Sequence, residues 1–143
     1  MELQRYRERA GFSLIEVMVS LTIMGTLIAI ALPKFSQLLP GIRLASAARQ
    51  VATDLQLARM RAISQHANQT VAFDTSTATY TFGSSDTRNL NQMYPGTTIT
   101  SLSSGNPTFT TTGTAATQTT ITLTNNGVTK QIQVATIGRV IIP

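Results

Sequence analysis

The stretch Gly11-Phe12-Ser13-Leu14-Ile15-Glu16 places one carboxylate near the start of an otherwise uncharged apolar run, and its reading decides what the first part of the chain is. From Phe12 to Leu32 nothing else ionises. At the helical rise that run is roughly 32 Å long, enough to cross a bilayer core of about 30 Å as one helix. Ahead of it, Met1 to Gly11 forms a short polar leader carrying Arg5, Arg7 and Arg9. Positive charge on that side keeps it in the cytoplasm and sends the remainder of the chain outside.

Two ordinary segments share this profile. One is a secretory signal with Ala29-Ile30-Ala31 as its A-x-A cleavage site, but the apolar run exceeds the usual ~7–15 residues and carries a charge that such a signal has no use for. The other is a plain single-pass anchor, in which an acidic residue is costly and points to a function. Both leave Glu16 unexplained.

At these residues the chain resembles the type IV prepilin family, which includes the type II secretion pseudopilins. The resemblance rests on the basic leader, Gly11, Phe12, Glu16, the apolar helix and Pro33. It implies that a membrane-embedded prepilin peptidase cuts between Gly11 and Phe12 and methylates the new amino terminus on Phe12. It also implies that Glu16, then the fifth residue, pairs with the amino terminus of a neighbouring subunit during assembly. Electrostatics agrees, because an isolated carboxylate in hydrocarbon is expensive and one paired with an N-terminal cation is partly compensated.

With 143 residues, the chain has room for one modest extracytoplasmic domain after the anchor is subtracted. Cysteine is absent, so the disulfide that the resemblance often implies near the C-terminus is not available and the core alone must hold that end. Removing the leader's three arginines and two glutamates from 11 Lys+Arg and 6 Asp+Glu leaves a formal charge of +4. That mildly basic balance suits acidic partners such as DNA or anionic lipid, and equally suits plain solubility.

Beyond Pro33, which removes a backbone donor and bends a helix without always ending it, the helix is expected to continue past a second weak point at Pro40-Gly41. Leu44, Ala48, Val51, Leu55, Ala58 and Ala62 then recur at alternating spacings of four and three, an amphipathic helix face. Arg43, Arg49, Arg59 and Arg61 lie largely off that stripe and read as a solvated face, with no site assigned to them. After His66 the composition turns to threonine, serine and asparagine. Thr70 to Phe73, Thr79 to Phe82 and Thr97 to Leu102 read as strands, and Asn126-Gly127 as the turn of a hairpin between a strand bearing Ile121 and Leu123 and one bearing Val128, Ile132 and Val134. Arg139 to Ile142 closes the sheet. The segment from Ser103 to Gln118, with Thr110-Thr111-Thr112-Gly113, reads as a loop or poorly ordered insertion.

The expected class is therefore α+β: a long N-terminal helix, half transmembrane and half amphipathic, packed on a C-terminal antiparallel β-sheet domain. The segments are residues 1–11 as leader, 12–33 as transmembrane and filament-core helix, 34–66 as its amphipathic continuation and 67–143 as the sheet domain.

A narrower resemblance lies in Asp54-Leu55-Gln56-Leu57-Ala58-Arg59-Met60-Arg61-Ala62-Ile63 leading into Gln69-Thr70-Val71-Ala72-Phe73, with Gly138-Arg139 near the end. It is similar to the GspH/FimT branch of minor pseudopilins and minor pilins. Some FimT-like members bind DNA in natural transformation through Gly-Arg-x-Arg, but here Ile141 occupies the second arginine's place. A DNA contact would fall to Arg139 with Lys130 and Arg88, and losing one phosphate contact weakens a binding mode built from their sum. DNA is thus the second reading. A solvated or helix-to-sheet role for Arg139 is preferred.

Enzymatic chemistry has no support in the composition. His66 is the sole histidine, and Asp54, Asp74 and Asp86 are the only acidic residues beyond the membrane run, a set that cannot make a His-based metal site with several ligands and in which a Ser-His-Asp arrangement would need His66, at a helix end, to find its partners by accident. No phosphate-cradling glycine loop or cofactor motif is present. The reading is a non-enzymatic filament subunit held in the bacterial inner membrane, N-terminus cytoplasmic and C-terminal domain periplasmic, until assembly into a pilus or pseudopilus. By resemblance its partners are the prepilin peptidase, other pilins or pseudopilins, the inner-membrane assembly platform and, before assembly, membrane lipid.

Overall fold

The computed structural model describes residues 11–83 and 86–143. The leader arginines Arg5, Arg7 and Arg9 lie outside the described residues. Two compact units divide the chain, Met1–Gln37 and Leu38–Pro143.

Helix α1 is assigned without interruption from Leu14 to Ser64, and Pro33 and Pro40 both sit inside it. A proline forfeits one hydrogen bond, which a long helix survives. In the first unit α1 is the one described helix long and apolar enough to cross a membrane. Its hydroxyl side chains are satisfied within the helix: Ser20, Thr22 and Thr26 donate to the carbonyls of Glu16, Met18 and Thr22 at 2.8, 2.8 and 2.7 Å. Closing these bonds internally lets polar side chains sit in a lipid-facing helix.

The second unit contains the whole described core. Leu44, Ala48, Val51, Leu55, Ala58 and Ala62 are all buried, as their spacing requires, and Ala47 and Ala52 widen the stripe. Small side chains there let the sheets approach the helix closely. His66, at φ 50°, ends the helix in the left-handed conformation, with the Ala67 amide donating to the Ala62 carbonyl at 3.3 Å.

The single sheet expected from sequence is resolved into two, each four-stranded and antiparallel. The first is built from β1 (Gln69–Asp74), β2 (Thr79–Phe82), β3 (Asp86–Asn89) and β5 (Thr108–Phe109), in the order β3-β2-β1-β5. The second joins β4 (Thr97–Leu102), β6 (Thr119–Asn125), β7 (Val128–Val134) and β8 (Val140–Ile141), in the order β4-β6-β7-β8. A one-turn helix, α2 (Leu90–Met93), follows β3 and is capped by the Asn89 side chain, which accepts from the Gln92 amide at 3.0 Å. The β6–β7 hairpin turns on Asn126 and Gly127 at φ 47° and 82°, the geometry that Asn-Gly favours. Val71, Tyr80, Phe82 and Phe109 from the first sheet, and Ile99, Ile121, Leu123, Ile132 and Val134 from the second, fill one core with α1.

The segment 103–118, read from sequence as a loop or poorly ordered insertion, is folded into this core. Phe109 is fully buried, and β5 pairs with β1 through Gln69 and Thr70. The Ala116 amide donates to the Thr108 carbonyl at 2.8 Å and the Ala115 amide to the Thr136 carbonyl at 2.9 Å, so the segment ties the first sheet to the turn preceding β8. One aromatic among small polar residues suffices to anchor it, because a buried phenyl ring outweighs the polar average of its neighbours.

Candidate functional site

In the first unit, Gly11, Phe12 and Ser13 precede the helix without regular structure, and Glu16 lies in its first turn. A carboxylate at that end sits against the positive pole of the helix dipole. Phe12, Leu14 and Ile15 around it are exposed, and among the described residues Glu16 has no ion-pair partner. The Gly11–Phe12 peptide bond is thus outside the helix and accessible, while the acid three residues into the helix is held on its first turn.

In the second unit, a contact joins the two ends of the GspH/FimT-like pattern. Arg59, assigned no site from sequence, is half-buried, and its Nε donates to the Gly113 carbonyl at 2.8 Å. Gly113 and Gly138 are both buried and both take positive φ, 80° and 78°. A Cβ on Gly138 would fall 1.9 Å from the Gly113 oxygen and 2.8 Å from Arg59 Nε; one on Gly113 would fall 2.7 Å from Ile63 Cδ1. Glycine is required at both positions by conformation and by space. The Ala58-Arg59 pair and the Gly138-Arg139 pair, 80 residues apart in sequence, therefore meet through one arginine and two glycines. Sequence reasoning recognised both motifs and missed their contact; the signal available was Gly113, an isolated glycine in a threonine run.

A second polar cluster is buried under the first sheet. Asp54, on the core face of α1, accepts from Tyr80 Oη at 2.5 Å and from Gln50 Nε2 at 3.2 Å to each oxygen, and pairs with Arg88 Nε at 3.2 Å. Burial, then the hydrogen bond and charge of Asp54, push the Tyr80 phenol far above its ordinary range, so it remains a donor. Arg61 pairs with Asp86 at 3.0 Å, and the guanidiniums of Arg61 and Arg88 lie 5.1 and 5.5 Å from the centre of the Phe82 ring.

These contacts fix where the three cations considered for DNA stand. Arg88 belongs to β3 with its guanidinium committed to Asp54. Lys130, half-buried on β7, shares the face of Ile132 and Val134 rather than the outer face of the sheet. Arg139 is exposed and its carbonyl accepts from the Ala135 amide at 2.9 Å, which sets it five residues along the ladder from Lys130, roughly 17 Å at the strand rise. Among the described residues no group of three His, Cys, Asp or Glu side chains is close enough to hold a metal ion.

Comparison with known proteins places this geometry. The family described as type II transport protein GspH matches residues 47–138, well over half of the chain, and its match ends on Gly138. The prokaryotic N-terminal methylation motif matches residues 6–32. Among solved structures, the type IV minor pilin FimU of Pseudomonas aeruginosa is similar at 21% identity, covering 70% of this chain and 92% of that one with a TM-score of 0.57. The minor pseudopilin EpsH of the Vibrio cholerae type 2 secretion system is similar at 15% identity, covering 71% and 96%, with a TM-score of 0.59. At such identities these likenesses are of fold. No curated protein matches the chain significantly.

Proposed function

Because the chain belongs to the GspH family of pilin-like proteins, we propose that it works as a minor pilin or pseudopilin, a structural subunit of a type IV pilus or a type II secretion pseudopilus. Prepilin peptidase cuts between Gly11 and Phe12, Phe12 is methylated, and the subunit waits in the inner membrane with its second unit in the periplasm. On extraction by the assembly platform, Phe12 to Leu32 packs with equivalent helices of other pilins or pseudopilins, and Glu16 pairs with a neighbouring amino terminus.

The observation that carries this reading is Glu16. It is the one ionisable group between Phe12 and Leu32, it lies in the stretch matched by the methylation motif, and its own chain supplies it with no cation among the described residues. A carboxylate in hydrocarbon needs a partner, and a second subunit's amino terminus is one that assembly provides. The conversion of Gly11 and Phe12 from internal residues into a cleavage junction creates that cation.

Mass spectrometry of the amino terminus from cell membranes tests it, with Gly11→Ala and Glu16→Ala variants alongside. A methylated Phe12 terminus in the native chain and in Glu16→Ala, absent in Gly11→Ala, is expected, with Glu16→Ala processed but missing from sheared filaments. A terminus at Leu32 would establish a conventional signal peptide and remove the filament role of Glu16.

A further inference from the structure

A shallow groove of about 490 Å³ runs between the last turns of α1 and the approach to β8, lined by Gln56, Arg59, Met60, Ile63, Ile137 and the segment Gly138 to Val140. Its apolar members are unusually bare: Met60 is 66% exposed, Ile137 66% and Ile63 42%. Its charged members are Arg59 and Arg139, and no acidic side chain lines it. The floor is rigid, since Arg59 Nε is tied to the Gly113 carbonyl and Gly138 is packed against that same oxygen. Large apolar side chains beside arginine, on a fixed frame, form the kind of surface that protein contacts use as an anchor.

We infer that this groove seats an acidic, apolar segment of a different subunit of the same filament, its carboxylate on Arg139 and its apolar side chains over Met60, Ile63 and Ile137. The inference rests on the filament reading above and deepens it by naming a surface and the chemistry of its occupant. A second copy of this unit fits less well, because each of the three acidic side chains of Leu38–Pro143 already has a partner in its own chain: Asp54 with Tyr80 and Arg88, Asp86 with Arg61, and Asp74 with Ser76 and Thr77. Nucleic acid fits less well. Phosphates would use the arginines and leave the three apolar side chains uncovered, and a phosphate-tracking surface needs further cations along its path, whereas Arg88 is committed to Asp54 and Lys130 lies roughly 17 Å from the Arg139 position. The unit's formal balance of seven cations against three acids further favours an acidic partner.

The test uses the full chain in cells that assemble its filament. A benzophenone amino acid is placed at Ile137 and, separately, at Met60, with Thr129 on the outer face of the second sheet as control. After irradiation, adducts are probed with antibodies to each sister subunit and the cross-linked peptide is sequenced by mass spectrometry. One sister subunit is expected at both groove positions and not at Thr129, through a peptide bearing Asp or Glu beside large apolar residues. Arg139→Glu should cut the adduct about tenfold or more, the effect of losing one charge-assisted contact, and reversing the partner's acid to Arg should restore it.

Adducts with a second copy, adducts removed by nuclease, adducts insensitive to Arg139→Glu, or their absence from assembled filaments would each overturn the groove assignment. Processing at Gly11 and recovery in sheared filaments are scored in the same cells. Their failure overturns the filament reading and the groove with it, whereas intact filaments without groove adducts overturn the groove alone.

Discussion

Replacing Gly138 by alanine should destabilise the second unit far more than the same change at Gly105, although both glycines hold nearly the same backbone angle. At Gly105, φ is 75° and a new Cβ meets nothing within 4 Å. The cost there is the left-handed conformation alone, about 1 kcal/mol. At Gly138, φ is 78° and the new Cβ would sit 1.9 Å from the Gly113 oxygen and 2.8 Å from Arg59 Nε. The carbonyl must retreat by more than an ångström and the guanidinium by several tenths of one, which breaks their 2.8 Å hydrogen bond. Losing a bond from a charged donor to a half-buried carbonyl adds about 1.5–3 kcal/mol, so Gly138→Ala should cost about 2.5–4 kcal/mol in all. Urea unfolding of the chain from Leu38 onward, which contains the whole described core, measures each variant. Arg59→Ala removes the same bond by another route, so the double variant Arg59→Ala/Gly138→Ala should fall short of the summed single costs by about 1.5–3 kcal/mol, the worth of the shared bond. Equal losses for Gly138→Ala and Gly105→Ala, or strict additivity with Arg59→Ala, would refute the strut.

Asp74 sits in a turn where the Ser76 and Thr77 hydroxyls, with the Ser76 amide, donate to its carboxylate and hold its pKa at about 2. An unfolded aspartate titrates near 3.9, so the turn's contribution should be complete above about pH 4 and fade as the pH falls through about 2. Asp74→Asn should flatten that part of the stability–pH curve, measured by denaturation across pH 2–5, and an unchanged slope would rule the turn out as its source. Thr119 Oγ1 is buried with no hydrogen-bond partner among the described residues. Thr119→Val keeps the shape and removes an unsatisfied hydroxyl, so it should stabilise the unit by about 1 kcal/mol; a loss of stability in the same urea assay would reveal a hidden partner, such as water.

The helix and most strands were legible because their periodicities are strong. The stripe from Leu44 to Ala62 is buried at every position its spacing selects, and the β6–β7 hairpin announces itself through Ile121, Leu123 and Asn126-Gly127. What escaped has no such period. Strand β3 is Asp-Thr-Arg-Asn, a polar run held by pairing with β2 from Tyr80 to Arg88 and by the Arg88–Asp54 contact beneath it. Strand β5 is two residues long, and its burial depends on Phe109 alone. The split into two sheets is likewise invisible to alternation, which reports which face of a strand is inside and not which neighbour it pairs with. At the candidate site, Glu16 could be picked out because a charge in an apolar run is conspicuous in one dimension, whereas Gly11 and Phe12 were proposed only through the family resemblance of the stretch that holds them. The role of Arg59 could not, since amphipathic periodicity sorts an arginine off the stripe into solvent and says nothing of a carbonyl 54 residues away.

That arginine bears on how a chain without cysteine secures its C-terminal segment. A disulfide there would act chiefly by restricting the unfolded chain; this fold instead closes the segment with contacts that exist only when it is folded. β8 contributes two ladder positions, Gln133↔Ile141 and Val134↔Val140, too few to fix a strand by pairing alone. The Ala135 amide and the Arg139 carbonyl extend that ladder around Gly138, whose buried position against the Gly113 carbonyl sets where the turn sits. Arg59 then links the same carbonyl to α1. The helix, the threonine-rich segment and the terminal turn are thus locked at one oxygen atom. Because Arg59 is held in this lock, Arg139 next to it remains exposed and free to meet another molecule. Adjacent arginines, one structural and one available, can share a groove without competing, and substitutions at the two should separate cleanly: Arg59 variants in stability, Arg139 variants in what the groove binds.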